Sequence, residues 1–377
     1  MTVLEGNIVT ENDVFHGRLY FQNSVITAIE KTGEMQNGTD WILAGFIDVH
    51  LHGLGIYDAW SRENIIGMAE FAPSKGTTRF CPAFSCAEKE RLLDILTTVR
   101  DLVRNPPPGA KIIGSHLEGP WLNPANKGGM IEKMLRQPSI AEANDYLKAS
   151  DGTLRLVTIA PELPGALDVI RLLNAADVRV SAGHTGCPPE KLTAAVDAGI
   201  SQMCHLFDAY DLPADPGGVR HPALTDMALI DDRVMIEIIM DGLHVPPELI
   251  RLALRAAGPD RVIAITDALQ GAGLPECRFC ALGRWYRMKE GELGRLEDDN
   301  TIVGSSLTPN RAFFNMTKRF GFSPVEASKA LSANPARAMG IASITGKLEP
   351  GLGVDITVMK PDSLSVKACY LEGKQIF

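Results

Sequence analysis

The chain has 377 residues, of which 45% are hydrophobic and 22% are charged, and its formal net charge is −9 at pH 7. An acidic chain without a basic cluster lacks the electrostatic surface of a nucleic-acid-binding protein. Its apolar runs are shorter than the roughly 20 residues of a membrane-spanning helix, and no signal-peptide pattern opens it. We therefore expect a cytoplasmic protein with neither a nucleic-acid nor a membrane partner.

Both ends of the chain contain short segments in which hydrophobic and polar residues alternate. Turn signals separate these segments, among them an Asn-Gly pair at residues 37–38 and a glycine-rich stretch at residues 346–353. Alternation with such turns is typical of antiparallel strands. We predict one small β-sandwich domain that is built from residues 1–44 and 346–377.

Eight apolar runs lie between these ends, and most are followed by a longer amphipathic stretch. This order is typical of parallel strands that alternate with helices. Eight such units predict an α/β fold, a closed (β/α)8 barrel of the TIM type, over residues 45–345. The runs are residues 45–49, 77–83, 111–117, 154–160, 178–183, 202–207, 234–240 and 262–266.

Histidines and carboxylates stand at the ends of five of these runs. In a barrel of this type the chemistry gathers at the carboxyl ends of the strands. Because the last strand lies beside the first, we expect the final carboxylate to lie next to the two histidines of the first run. The residues are His50, His52, Glu118, His184, His205 and Asp267.

Each of these residues also has a structural interpretation. A His-x-His pair at a strand end requires no metal, and His184 or His205 alone could be a hydrogen-bonded core histidine. Glu118 and Asp267 could each lie in a loop or cap a helix. However, Glu118 follows a strand expected to be buried on both faces, where a carboxylate is costly without compensation. Since all six residues are expected to converge, we favour a metal site.

Four imidazoles and bridging carboxylates suit zinc or another late divalent ion, whereas Mg²⁺ and Ca²⁺ prefer more oxygen ligands. One ion could take the first histidine pair and Asp267, and a second could take His184 and His205, with Glu118 shared. Such a site activates water and polarises a carbonyl group. The pattern predicts a hydrolase in which a metal-bound hydroxide attacks an amide carbonyl and Asp267 passes the proton to the departing amine.

The seven cysteines are scattered along the chain, and their odd number favours reduced thiols over a disulfide framework. Cys277 and Cys280 form a single Cys-x-x-Cys pair. Because no second pair or nearby histidine completes a tetrahedral set, we favour a hairpin with two incidental thiols over a zinc knuckle.

In their chain order, the motifs resemble those of the N-acetylglucosamine-6-phosphate deacetylase family in the amidohydrolase superfamily. The resemblance covers nearly the whole chain. It implies that Glu118, His184 and His205 bind metal and that Asp267 is the catalytic acid and base. Retention of the first histidine pair favours two ions. The motifs are His-Leu-His, His-Leu-Glu-Gly-Pro, Gly-His-Thr, His-Leu-Phe-Asp-Ala, Asp-Gly-Leu-His and Thr-Asp-Ala.

The same resemblance implies a substrate and a homodimer. The implied reaction removes the acetyl group from an N-acetyl amino sugar 6-phosphate, first of all N-acetylglucosamine 6-phosphate. Arg220 and His244 would bind the phosphate, one of them across the dimer interface, and Asp208 and Ala209 would lie at the substrate. On the residues alone, Arg220 could be a solvated loop residue and His244 the start of a helix.

Three positions depart from the family pattern. Asp208 replaces an asparagine, and its carboxylate would repel a phosphorylated substrate. Met130 follows Lys127-Gly128-Gly129 where the family carries a histidine, and it cannot donate a hydrogen bond. His221-Pro222-Ala223 stands where Glu-Pro-Gly is usual. These departures leave two other interpretations: a related hydrolase of an unphosphorylated or differently charged amide or lactone, and a non-catalytic binding protein.

Overall fold

The computed structural model describes residues 1–211, 218–219, 221–281, 283–361, 363 and 365–377. The strands in these residues, in chain order, are β1 (Thr2–Val9), β2 (Val14–Gln22), β3 (Val25–Glu34), β4 (Trp41–Ala44), β5 (Phe46–Leu51), β6 (Gly53–Leu54), β7 (Tyr57–Asp58), β8 (Thr77–Phe84), β9 (Lys111–Ile112), β10 (Ser115–Glu118), β11 (Leu154–Ile159), β12 (Arg179–Ala182), β13 (Ile200–Met203), β14 (Met235–Ile239), β15 (Val262–Ile265), β16 (Glu276–Ala281), β17 (Arg284–Lys289), β18 (Leu293–Leu296), β19 (Ile302–Ser305), β20 (Ile356–Met359), β21 (Val366–Leu371) and β22 (Lys374–Gln375).

The helices follow the barrel strands, as the amphipathic stretches predict. They are α1 (Arg62–Phe71), α2 (Lys89–Arg104), α3 (Ile140–Ser150), α4 (Ala166–Ala175), α5 (Leu192–Ala198), α6 (Leu224–Ile230), α7 (Pro247–Ala257), α8 (Pro309–Asn315), α9 (Pro324–Ser328) and α10 (Asn334–Ala338). In the part of the chain that the structure describes, none of them combines the length and the apolar character needed to cross a membrane.

Eight parallel strands form the barrel expected for the middle of the chain. Their order is β5, β8, β10, β11, β12, β13, β14 and β15, and a parallel bridge between Leu51 and Ala268 joins the last strand to the first. Every residue of β5, β8, β10 and β15 is buried. Such burial follows because helices cover one face of a parallel sheet and side chains fill the barrel on the other. The predicted (β/α)8 barrel is confirmed.

Two of the predicted runs differ from the observed strands by more than a shift of one or two residues at their ends. Run 111–117 is interrupted, because β9 ends at Ile112 and β10 begins at Ser115, with Gly114 between them at a φ of 147°. Run 202–207 is displaced: β13 ends at Met203, so His205 lies beyond the strand. Leu206 is nevertheless completely buried. The predicted strand was therefore too long at its carboxyl end, because an apolar run does not distinguish a buried turn from a buried strand.

Strands from both ends of the chain form one sheet in the order β22, β21, β20, β4, β1, β2 and β3. The sheet curls over its own core, since the ring of Phe21 in β2 lies 5.6 Å from that of Tyr370 in β21. The predicted small β domain from both termini is confirmed. Its boundaries, residues 1–44 and 346–377 against 45–345 for the barrel, stay a prediction. The buried residues of this core include Ile8, Leu19, Phe21, Ile26, Ile42, Val354 and Ile356.

A four-stranded antiparallel sheet, β16 to β19, lies between the last barrel strand and α8. The sequence analysis placed this segment in the barrel and favoured a hairpin at Cys277 and Cys280, but it did not predict a four-stranded sheet. Cys277 and Cys280 lie on β16, opposite Met288 and Trp285 of β17, so the Cys-x-x-Cys segment is one strand of a hairpin.

A buried ion pair connects the barrel to the sheet of the chain ends. Nε of Arg79 in β8 lies 2.6 Å from Oδ2 of Asp355, and the two side chains are 5% and 1% exposed. An exposed pair, Arg18 with Glu5, lies within the terminal sheet, with side chains 44% and 51% exposed. The two pairs differ in burial, which decides how much each contributes to stability.

We expect Arg79→Met to lower the free energy of unfolding by about 3–5 kcal/mol, because Asp355 would remain charged and buried without its partner. Urea denaturation at pH 7 measures this change. In the control Arg18→Met the loss should be much smaller, since solvent screens that pair. Equal losses in the two variants would contradict the assigned role of the buried pair.

Candidate metal centre

The carboxyl ends of the barrel strands bring the six predicted residues together. Two lie on or just after β5, one ends β10, and the others follow β12, β13 and β15. Their side chains are between 0% and 12% exposed. The residues are His50, His52, Glu118, His184, His205 and Asp267.

The carboxylate of Glu118 lies at the middle of this cluster. Its Oε1 is 3.1 Å from Nε2 of His184 and 2.9 Å from Nε2 of His205. Its Oε2 is 3.2 Å from Nε2 of His52, which in turn lies 3.2 Å from Oδ1 of Asp267. Glu118 therefore lies between His184 and His205 on one side and His52 on the other.

Three of the four histidines are oriented by the backbone. Nδ1 of His52, His184 and His205 lies 3.1, 2.9 and 3.2 Å from a backbone carbonyl oxygen, respectively. A carbonyl oxygen only accepts, so each ring carries a proton on Nδ1 and directs Nε2 to the centre. A neutral imidazole held in this way presents a lone pair to a metal ion.

Nε2 of His50 is a buried atom that makes no hydrogen bond within the described residues. It lies 3.4 Å from Oε1 of Glu118 and 3.6 Å from Oδ1 of Asp267. An unsatisfied buried nitrogen costs about 1–3 kcal/mol, which a coordinated cation would remove. Ligand atoms of His50, His52 and Asp267 all lie within 4.8 Å of one another. Four imidazoles and two carboxylates therefore fit a divalent ion of the zinc type.

Protons balance the charge of this centre when no cation does. Burial raises the pKa of Glu118, but the charge of His50 and hydrogen bonds from His184 and His205 outweigh it and hold the pKa well below its usual range. Burial also raises the pKa of Asp267, but the hydrogen bond from His52 and the charges of His50 and His52 outweigh burial, so the pKa is lowered overall. For His52, burial lowers the pKa, while Asp267 and Glu118 raise it to about 9. Metal binding requires neutral imidazoles, so an ion would replace these protons.

Three residues of the cluster have left-handed backbone conformations. The φ angles of His184, His205 and Asp267 are 49°, 23° and 48°. Such conformations cost non-glycine residues about 1–3 kcal/mol each, and they concentrate at functional sites. The surrounding fold therefore holds these three side chains in place at the expense of local stability.

A cavity of about 490 Å³ opens over the centre, and its lining includes the predicted substrate residues Asp208, Ala209 and His244. Nδ1 of His244 lies 2.6 Å from Oδ2 of Asp241, and its buried Nε2 has no hydrogen-bond partner in the described residues. Burial lowers the pKa of His244, but the hydrogen bond and charge of Asp241 raise it overall. Arg220 lies outside the described residues.

Part of the cavity wall was missed by the sequence analysis. Arg284, Tyr286 and Val303 of the β16–β19 sheet line the cavity, together with Trp60. The guanidinium of Arg284 is already paired with two carboxylates of a neighbouring turn. The hairpin favoured at Cys277 and Cys280 extends here into a four-stranded sheet, and the Gly, Asp and Asn residues between β17, β18 and β19 are the turn signals that could have predicted that extension.

A buried cluster of histidines and carboxylates at the strand ends of a (β/α)8 barrel defines a metal-dependent amidohydrolase. No protein-family model matches the chain. The chain is 30% identical over 363 residues to N-acetylgalactosamine-6-phosphate deacetylase of Escherichia coli O157:H7, covering 95% of this chain and 94% of that protein. It is 30% identical over 391 residues to N-acetylglucosamine-6-phosphate deacetylase of Rattus norvegicus, covering 100% and 94%.

Solved structures agree with these relatives. N-acetyl-D-glucosamine-6-phosphate deacetylase from Mycobacterium smegmatis superposes with a TM-score of 0.90 at 28% identity over 100% of both chains. The enzyme from Thermotoga maritima superposes with a TM-score of 0.89 at 27% identity over 100% of this chain and 99% of that one. The protein belongs to the N-acetylglucosamine-6-phosphate deacetylase family of the amidohydrolase superfamily.

We expect His184→Asn to remove most of the zinc that the protein retains after loading and dialysis, because it deletes an Nε2 atom that is predicted to bind metal next to Glu118. Elemental analysis of the purified variant measures the metal content. His16→Asn is the matched control, since His16 lies in β2, far from the centre along the chain, and its Nδ1 is 3.0 Å from Oγ1 of Thr32. Full retention of metal by His184→Asn would refute the ligand assignment.

Proposed function

We propose that this protein removes the acetyl group from an N-acetyl amino sugar 6-phosphate, with N-acetylglucosamine 6-phosphate as the first candidate substrate and Zn²⁺ as the first candidate metal. The observation that carries the proposal is the convergence of four imidazoles and two carboxylates in a chain of this family. The E. coli relative is named for the galactosamine epimer, which is therefore a second sugar to test.

Two ions are proposed. The first histidine pair and Asp267 would hold one, His184 and His205 would hold the other, and Glu118 would be shared between them. A divalent ion at this position lowers the pKa of water and polarises a carbonyl oxygen. The protein supplies the fixed arrangement of ligands that makes both effects available at one amide group.

Asp267 is the proposed acid and base. It lines the cavity, and its lowered pKa provides a carboxylate that can accept the proton of the attacking water and pass it to the departing amine nitrogen. Two backbone hydrogen bonds hold it in place. Its N–H donates to the carbonyl of His50 at 2.9 Å, and its carbonyl accepts from the N–H of Ser305 at 2.7 Å.

His244 and Arg220 are the proposed phosphate ligands, one of them contributed by the partner subunit of a homodimer. The buried Nε2 of His244, which faces no protein partner in the described residues, supports a ligand contact there.

We also propose a cytoplasmic location. All seven cysteines are free thiols, which is the usual state in a reducing compartment.

The proposal is tested by amine release from N-acetylglucosamine 6-phosphate and, side by side, from N-acetylglucosamine, with the zinc-loaded protein. We expect kcat/KM to be about 10- to 150-fold higher for the phosphorylated sugar, because one charge-assisted hydrogen bond contributes about 1.5–3 kcal/mol. Asp267→Asn, compared at measured metal content, should lower kcat by about 10²- to 10⁴-fold. Turnover of neither sugar with metal bound would refute the substrate and direct the search to other amides and lactones.

A second substrate class is favoured by Asp208. Its carboxylate lines the cavity, and its charge adds to that of Asp241 in raising the pKa of His244. A carboxylate at this position accepts hydrogen bonds from a hydroxyl or an amine and repels a phosphate. An unphosphorylated or differently charged amide is therefore the alternative substrate.

We expect Asp208→Asn to raise kcat/KM for the phosphorylated sugar by about tenfold, since a like charge a few Å from a phosphate costs about 1 kcal/mol or more. The hydrogen bond from His205 uses the backbone oxygen of Asp208, so the substitution leaves it intact. The unphosphorylated sugar is the control substrate and should change little. An unchanged or lower kcat/KM for the phosphorylated sugar would show that Asp208 does not repel it.

A further inference from the structure

Glu237 is a completely buried carboxylate in an otherwise apolar barrel strand, β14, whose sequence is Met-Ile-Glu-Ile-Ile. Its Oε2 lies 3.3 Å from Nδ1 of His50. Its Oε1 accepts a hydrogen bond from Nε2 of Gln202 in the neighbouring strand β13. Glu237 therefore lies on the Nδ1 side of the His50 ring, and it does not line the cavity.

This contact distinguishes His50 from the other three histidines of the centre. Their Nδ1 atoms all face backbone carbonyl oxygens, which no substitution of a side chain removes. Nδ1 of His50 faces the carboxylate of Glu237 and, at 3.7 Å, the thiol of Cys204. The position of the ring proton on His50 therefore depends on a side chain.

We propose that Glu237 is a positioning residue for the metal centre: it holds the proton of His50 on Nδ1, directs Nε2 to the cation, and so controls occupancy of the metal position formed by His50, His52 and Asp267. The inference rests on the two-ion assignment made above. Glu237 contacts Nδ1 of His50 and does not line the cavity, so its proposed effect is exerted through His50.

Two physical arguments support this role. A buried carboxylate is costly unless charge and hydrogen bonds compensate it, and the carboxylate of Glu237 contacts an uncharged amide, Gln202, and a titratable imidazole, His50. A cation on Nε2 of His50 polarises the imidazole and supplies the missing charge through the ring. Carboxylates that accept from a ligating histidine in this way change metal affinity by about 10- to 100-fold.

The network also predicts what an isosteric change does. In Glu237→Gln, the Gln202 amide still donates to the oxygen of the new side chain, whose NH₂ group then faces Nδ1 of His50. That nitrogen must become an acceptor, so the ring proton moves to Nε2, which can no longer bind a cation. We expect the affinity for one of two zinc ions to fall by about 10- to 100-fold, while the ion between Glu118, His184 and His205 remains.

The experiment is a zinc titration of the full-length metal-free protein by calorimetry, with stoichiometry checked by elemental analysis after dialysis. An exchange variant, Gln202→Glu with Glu237→Gln, tests the hydrogen-bond logic. The new carboxylate at position 202 accepts from the new amide at position 237, whose oxygen is then free to accept from His50. We expect this double variant to recover most of the lost zinc affinity.

Two controls separate positioning from general damage. Glu142→Gln neutralises another buried carboxylate, 9% exposed, that accepts hydrogen bonds from Trp121 and Tyr146 away from the cavity. It should keep both ions even where stability falls. Cys204→Ala removes the other neighbour of Nδ1 and should also keep both, because the thiol is the weaker acceptor.

The outcomes are distinct. Two ions in the wild type, one in Glu237→Gln and recovery in the exchange variant support the proposal. Four results would each overturn it and leave the deacetylase proposal standing. They are two ions of unchanged affinity in Glu237→Gln, loss of both ions in that variant, no recovery of affinity in the exchange variant, and loss of an ion in Cys204→Ala alone. Fewer than two ions in the wild type would refute the two-ion assignment and this inference together, whereas deacetylation could still be measured.

Discussion

A buried carboxylate needs compensation, and Glu118 imposes this requirement on the whole centre. Its side chain is 3% exposed at the end of a completely buried strand. Imidazole nitrogens face both oxygens, and in the absence of a cation their protons balance the charge. Because protons and a cation compete for the same nitrogens, the arrangement that stabilises Glu118 is also the arrangement that binds metal. Structure and chemistry here depend on one electrostatic constraint.

Barrel closure completes the centre. Asp267 follows the last strand and His50 belongs to the first, and the N–H of Asp267 donates to the carbonyl of His50. On its other side, Asp267 is bridged to β19 by the N–H of Ser305. A Cβ atom on the adjacent Gly304 would lie 2.5 Å from the carbonyl oxygen of Asp267, so a larger residue there would displace it. The inserted sheet therefore supports the proposed acid and base as well as lining the cavity.

Much of this arrangement could be predicted from the sequence, because parallel strands meet at one edge and carry their polar residues there. Asp267 beside His50 and His52 follows from closure alone. Three features could not be predicted with the same reasoning. The run ending at His205 was misplaced because its turn is as apolar as a strand. The β16–β19 sheet was not predicted, because it is inserted between the last barrel strand and α8, within the residues assigned to the barrel. The proposed role of Glu237 depends on the contact between its carboxylate and Nδ1 of His50, and the spacing of residues along the chain does not specify such a contact.

Charge balance also bears on the departure at Asp208. Glu118, Asp267 and the adjoining Glu237 contribute three negative charges, and two divalent ions would contribute four positive ones, so the occupied centre would carry a net charge of about +1 with neutral histidines. In a partly enclosed cavity this field opposes the repulsion between Asp208 and a phosphate. A single ion would leave a net charge of about −1, and the repulsion would then be uncompensated. Binding of a phosphorylated substrate next to Asp208 therefore depends on the ion held by His50, His52 and Asp267. Because Glu237 is proposed to control that ion through His50, it would also affect this binding.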